Sequence, residues 1–155
     1  MLSAFLIDYI AWVFVSALCV IQFAAARSGL WGILYARRWP RATMGVSVLV
    51  ILAAILWYFT TGERNQPDTG LGLDANVQAF WFAMSGAAAV GATLAVTSLI
   101  NHRWVNNHGW DCRSGDAPPS GITWLSRTTF FHAIRARVAH SRRSASTSSE
   151  RVGAG

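Results

Sequence analysis

At 155 residues, with 53% hydrophobic and only 13% charged side chains, the chain carries about half the charged share of an ordinary water-soluble domain. Its net charge is +6, and all thirteen cationic side chains are Arg. This balance excludes a water-soluble single-core domain. Because the apolar residues gather into three blocks, it predicts an all-α membrane protein with three transmembrane helices, a C-terminal amphipathic interfacial helix and a disordered tail.

The first block runs from Phe5 to Ala26 and holds one charge, Asp8. A hydrocarbon layer takes roughly 20 apolar residues to cross, so the block is long enough to span. "AAA" at Ala24–Ala26 has the small-residue look of a signal-peptide cleavage site. No Lys or Arg precedes the apolar run, however, and the run is longer than a signal core, so it reads as a retained helix over 5–26. The connection that follows, "RSGLWGILYARRWPRA", carries Arg27, Arg37, Arg38 and Arg41 and no acid.

The second block, "MGVSVLVILAAILWYFTT", has no charge and predicts a helix over 42–61, with Pro40 suited to its first turn because a missing N–H costs nothing there. The next loop sets Arg64 against Glu63, Asp68 and Asp74. The third block, "VQAFWFAMSGAAAVGATLAVTSLI", predicts a helix over 77–100. Backbone exposed to lipid must satisfy its own hydrogen bonds, which is why all three blocks read as α-helices of one transmembrane domain, 1–104.

Small residues recur every fourth position along the third helix at Ala83, Ala87, Gly91 and Ala95. Such a stripe lets two helix backbones approach closely in lipid, where packing is the driving force for association. It serves either the chain's own bundle or a docking seam for another copy or another subunit.

Residues 105–121, ending in "GDAPPSG", read as a linker. Residues 122–143 then predict a basic amphipathic helix, and the Ser-, Gly- and Ala-rich residues 144–155 a disordered tail. The stretch "FFHAIRARVAHSRR" alternates apolar and cationic side chains. Trp124, Arg127, Phe131, Ile134, Arg135, Val138 and Arg142 are the expected contact residues of the 122–143 helix for a membrane surface or a partner. A nucleic-acid interface uses similar residues, but tethering beside a bilayer makes anionic lipid the sufficient reading and no nucleic acid is expected.

The tail after Ile100 holds eight Arg against Asp111, Asp116 and Glu150. Counted over short flanking loops, the Arg bias predicts a multi-pass protein of the cell (plasma) membrane, N-terminus outside and C-terminus cytoplasmic. Tyr9, Trp12, Trp57, Tyr58 and Trp81 then fall near the outer headgroups, and Trp31, Tyr35, Trp39 and Trp104 near the inner ones, the levels that Trp and Tyr favour.

Chemistry-bearing residues are sparse. Asp8 lies about one turn inside its helix, and none of the three blocks holds a Lys, Arg or His to pair with it. With Glu63, Asp68 and Asp74 it could form an outer acidic patch, for which a solvated loop is the simpler reading. His102, His108, Asp111 and Cys112 are zinc-competent types within eleven residues, at a spacing that fits no zinc pattern. Cys19 and Cys112 do not predict a disulfide. No phosphate loop, nucleophile elbow or metalloprotease motif is present. The sequence therefore predicts no catalytic, metal or cofactor-binding residue, and no enzyme.

The layout of three spans, an outside N-terminus and a basic tail is similar to that of three-span phage holins, which implies self-assembly into a membrane pore. "WYFTTGER", Trp57–Arg64, resembles the end of the second span in the small three-span anchors of reductive dehalogenases, a likeness of eight residues that stops at Arg64. The expected function is that of an anchor, accessory or assembly subunit of a larger membrane complex, bound to other membrane subunits or to itself; the rival is a holin-like pore former.

Overall fold

A computed structural model describes residues 4–60, 75–104 and 121–153, with side chains over 5–60, 75–104 and 121–141. The described residues are helical and contain no strand. Helix α1 covers Ala4–Ser28, α2 Pro40–Thr60, α3 Ala75–Ile100 and α4 Phe130–Gly153, with short 3-10 helices at Trp31–Ile33 and Gly121–Ser126. Three of them are long and apolar enough to cross a membrane, so the chain is a multi-pass membrane protein. Even the shortest, at 21 residues, rises about 31 Å and matches a hydrocarbon core of roughly 30 Å.

Local chemistry sets the helix ends. α1 stops at Gly29, whose φ of +68° is the left-handed conformation that closes a helix, and Arg27 in the last turn complements the helix dipole. α2 begins at Pro40, two residues before the expected start, and its first intrahelical bond runs from the N–H of Thr43 to the carbonyl of Trp39.

The chain divides into two compact units, Met1–Ser28 with Ala36–Thr93, and Gly29–Tyr35 with Leu94–Gly155. In the first, α1 and α2 pack antiparallel, since Phe5 and Trp12 near the start of α1 meet Tyr58 near the end of α2. Trp12 stacks on Tyr58 at 4.7 Å and 16°, and Phe59 meets Trp12 edge-on. Each such ring pair is worth about 0.5–1.5 kcal/mol beyond the area it covers. Tyr9, Val13 and Tyr58 are buried, with Trp12 and Trp81 packed against them, and the Tyr9 hydroxyl donates to the Gln78 carbonyl at 3.4 Å. Four of the five aromatics assigned from sequence to one headgroup layer thus meet in a packed cluster, while Trp57 stays exposed.

In the second unit the connection after α1 is itself a packing element. Ile33 and Leu34 are buried, Leu34 completely. The side-chain amide of Asn101, just past α3, donates to the carbonyls of Gly32 at 3.4 Å and Leu34 at 3.1 Å. A Cβ built on Gly32 would overlap the backbone oxygen of Thr128 and lie 2.7 Å from that of Leu125, so the two backbones approach at a distance only glycine permits.

The expected helix over 122–143 is corrected at both ends. Its first part is the 3-10 helix Gly121–Ser126, and α4 starts only after Thr129, whose carbonyl accepts the Ala133 N–H at 2.9 Å. Thr suits this N-cap position. At the other end α4 runs through the stretch expected to be disordered, to Gly153, and meets no Gly or Pro before that residue. Residues 105–120 of the expected 105–121 linker, the acidic loop with Glu63, Asp68 and Asp74, and the last two residues lie outside the described residues.

Candidate functional site

Helix α3 presents two stripes of small residues on opposite sides. Ser85, Ala89, Thr93 and Thr97 recur every four residues and are buried, with Ala89 and Thr97 at 0% exposure. The Thr93 hydroxyl donates to the Ala89 carbonyl at 2.8 Å, which keeps that polar group satisfied inside the helix. The stripe singled out from sequence, Ala83, Ala87, Gly91 and Ala95, lies about half a turn away. Its first three members are exposed and Ala95 is half-buried. A Cβ added at Gly91 or at Gly86 would meet nothing within 4 Å. Within the described residues the hydroxyl-bearing stripe is the buried one, and the Ala83–Ala95 stripe is largely exposed. Both stripes are four-residue repeats in the sequence, and Ser and Thr hydroxyls that bond their own helix let backbones approach nearly as closely as Ala does.

The α4 surface is also two-sided. Ala133 and Ala136 face inward and pack on Trp124, which is 6% exposed. Trp124, one of the expected contact residues, is thus packed inside this unit, where two alanines one turn apart leave the room that its indole fills. Phe131, Ile134 and Val138, spaced at i, i+3 and i+7, are exposed on another side of the helix, with exposed Arg135 beside them. Arg127 is exposed at the corner between the 3-10 helix and α4. The Arg142 side chain lies outside the described ones.

Between the 3-10 helix and α4 runs a groove of about 200 Å³. Ile122, Leu125, Phe130 and Ile134 line it, with Trp124 at its base and Arg137 also lining it. It is smaller than the roughly 300–1,000 Å³ typical of small-molecule sites. Nearby, His132 is half-buried; burial pulls its pKa below the ordinary value, helped by the positive charge of Arg135 and by His102.

Asp8 is half-buried in the second turn of α1. Among the described residues, no three His, Cys, Asp or Glu side chains come close enough together to hold a metal ion. Of the four residues weighed as zinc ligands, His102 is exposed, and His108, Asp111 and Cys112 lie outside the described residues. Sequence reading missed the Gly29–Tyr35 element, although its signal was present. "GLWGILY" is apolar for a connection between spans, and such a segment needs a surface to pack on.

The chain matches no protein-family model, no curated protein and no solved structure. The likenesses to three-span holins and to reductive-dehalogenase anchors are thus carried by layout and by eight residues alone.

Proposed function

We propose that the chain is an anchoring or assembly subunit of a larger complex in the cell membrane, acting through binding and without catalysis of its own. The observation that carries this reading is the division of labour on α3. Its Ser85–Ala89–Thr93 side is buried within the chain, and the Ala83–Ala87–Gly91 side is left outward. Lipid tails gain nothing from small side chains, and Gly inside a helix costs about 1 kcal/mol relative to Ala. An outward stripe containing Gly is best explained by a second helix that seats against it.

The test is purification of the tagged chain in gentle detergent at native expression, with mass spectrometry of what accompanies it, alongside the Gly91→Leu variant. A membrane protein present in stoichiometric amount, and lost in the variant, supports the subunit reading. Copies of the chain alone, lost in the same way, move the assignment to the holin-like pore former. A chain that runs as a monomer in both forms defeats both readings.

The basic tail gives this subunit its second attachment. With the N-terminus outside, α4 lies on the cytoplasmic side, and its Phe131–Ile134–Val138 strip with Arg127 and Arg135 suits the anionic inner leaflet. Each Arg near such a surface contributes about 1 kcal/mol, falling off within a Debye length. An environment-sensitive dye on a cysteine placed at Val138 should report an apolar, salt-sensitive environment in vesicles containing anionic lipid. Emission typical of water in both anionic and zwitterionic vesicles would sink this part.

A further inference from the structure

The groove between Gly121–Ser126 and α4 shares Ile134 with the strip just described but opens on a neighbouring side of the helix, and Phe131 and Val138 take no part in its lining. Its wall residues Ile122 and Ile134 are 66% and 45% exposed, so apolar surface lies open there among the described side chains. We infer that this groove holds part of one acyl chain of an anionic phospholipid, with Arg137 on its phosphate. The inference rests on the reading of α4 as lying at a membrane face.

Three observations select this occupant. The first is place: the unit that contains the groove also contains the end of α3 and the loop that follows α1, joined through Asn101, so it begins where two spans end. An acyl chain is the apolar ligand most abundant at that level. The second is size, since about 200 Å³ accommodates a segment of a slender chain and falls short of a compact small molecule. The third is charge. Arg103, Arg127, Arg135 and Arg137 are exposed in this unit, and no Asp or Glu is found among its residues with described side chains, 29–35, 94–104 and 121–141. Among the described side chains a phosphate therefore meets no carboxylate competing for the guanidinium, and Arg offers it a two-pronged, charge-assisted pair of hydrogen bonds.

The measurement is native mass spectrometry of the full-length chain released from nanodiscs that contain equal amounts of phosphatidylglycerol and phosphatidylcholine. One phosphatidylglycerol per chain is expected to survive delipidation about tenfold better than phosphatidylcholine. Arg137→Gln should erase that preference, Arg137→Lys should keep part of it, and Ile122→Asp, which sets a carboxylate at the groove, should lower retention of both lipids. Equal retention of the two lipids by the native chain, or an unchanged preference in Arg137→Gln, overturns the inference. So does modification of a cysteine at Ile122 that is blocked in proportion to protein concentration and not to lipid, because the groove is then a contact between copies.

The dye at Val138 keeps this result separate from the surface reading. An apolar signal there without selective retention sinks the groove alone, whereas selective retention beside a water-like signal sinks the strip alone.

Discussion

Gly32 and Asn101 show how single residues fix this protein's second unit. Any side chain at Gly32 must push apart two backbones, so Gly32→Ala should cost at least about 1–3 kcal/mol, the range for overpacking, and in detergent it should lower the temperature at which the chain aggregates. Asn101→Ala leaves the buried carbonyls of Gly32 and Leu34 without their donor, a loss of about 1–3 kcal/mol for each group left unsatisfied. Wild-type thermal stability in either variant would mean that the loop is not held as described. His132 gives a pH dependence. Its folded pKa lies below the ordinary value of about 6.5, so the unfolded chain binds the proton more readily. The stability linked to neutral His132 is fully present above that ordinary value and is lost as pH falls through it toward the folded pKa. His132→Gln should flatten the fall in stability on acidification; an unchanged pH profile would assign the effect elsewhere.

At the scale of elements, the two sides of α3 make opposite predictions for the same kind of change. Ala89 is fully buried, and Ala89→Leu should loosen the chain's own bundle by about 1–3 kcal/mol. Gly91→Leu adds more volume, yet it meets open space and replaces a poor helix former with a good one. It should leave monomer stability unchanged or slightly raised, read as the melting of α-helical circular dichroism, while reducing assembly. Equal destabilisation by both changes would place Gly91 inside the bundle after all. α4 follows a similar division, with alanines turned to Trp124 and larger apolar side chains turned away from it. A helix whose inner face is made of alanine buries little area, so the docking of α4 depends on the 3-10 helix beneath it.

For the whole molecule, topology is the property most open to direct test. In a Cys19→Ala, Cys112→Ala background, a cysteine at Thr69 should react with an impermeant maleimide added outside cells and one at Ser144 should not. The reverse pattern would invert the proposed orientation and place α4 outside. The three spans were legible because lipid imposes a simple rule: a segment of the right length must be apolar throughout and must close its own backbone hydrogen bonds. The expected bounds for them differ from α1, α2 and α3 by two residues or fewer at each end. Which face of a span turns inward was less legible, since in lipid the inward and outward sides are both apolar and periodicity loses its contrast.

Composition and length by themselves determined that the chain crosses a membrane three times with helices, and Pro40 marked the first turn of the second of them. Only the tertiary structure decided that Tyr9, Trp12, Tyr58 and Trp81 pack together, that Ser85–Ala89–Thr93 is the buried side of α3, and that the loop after α1 lies against Leu125 and Thr128. The physical reason is the range of the forces involved. Transfer into lipid acts on each segment alone and can be summed along the sequence. Close packing depends on the shapes of residues far apart in the chain, as with Asn101 and Leu34, and no sum over one segment contains that term.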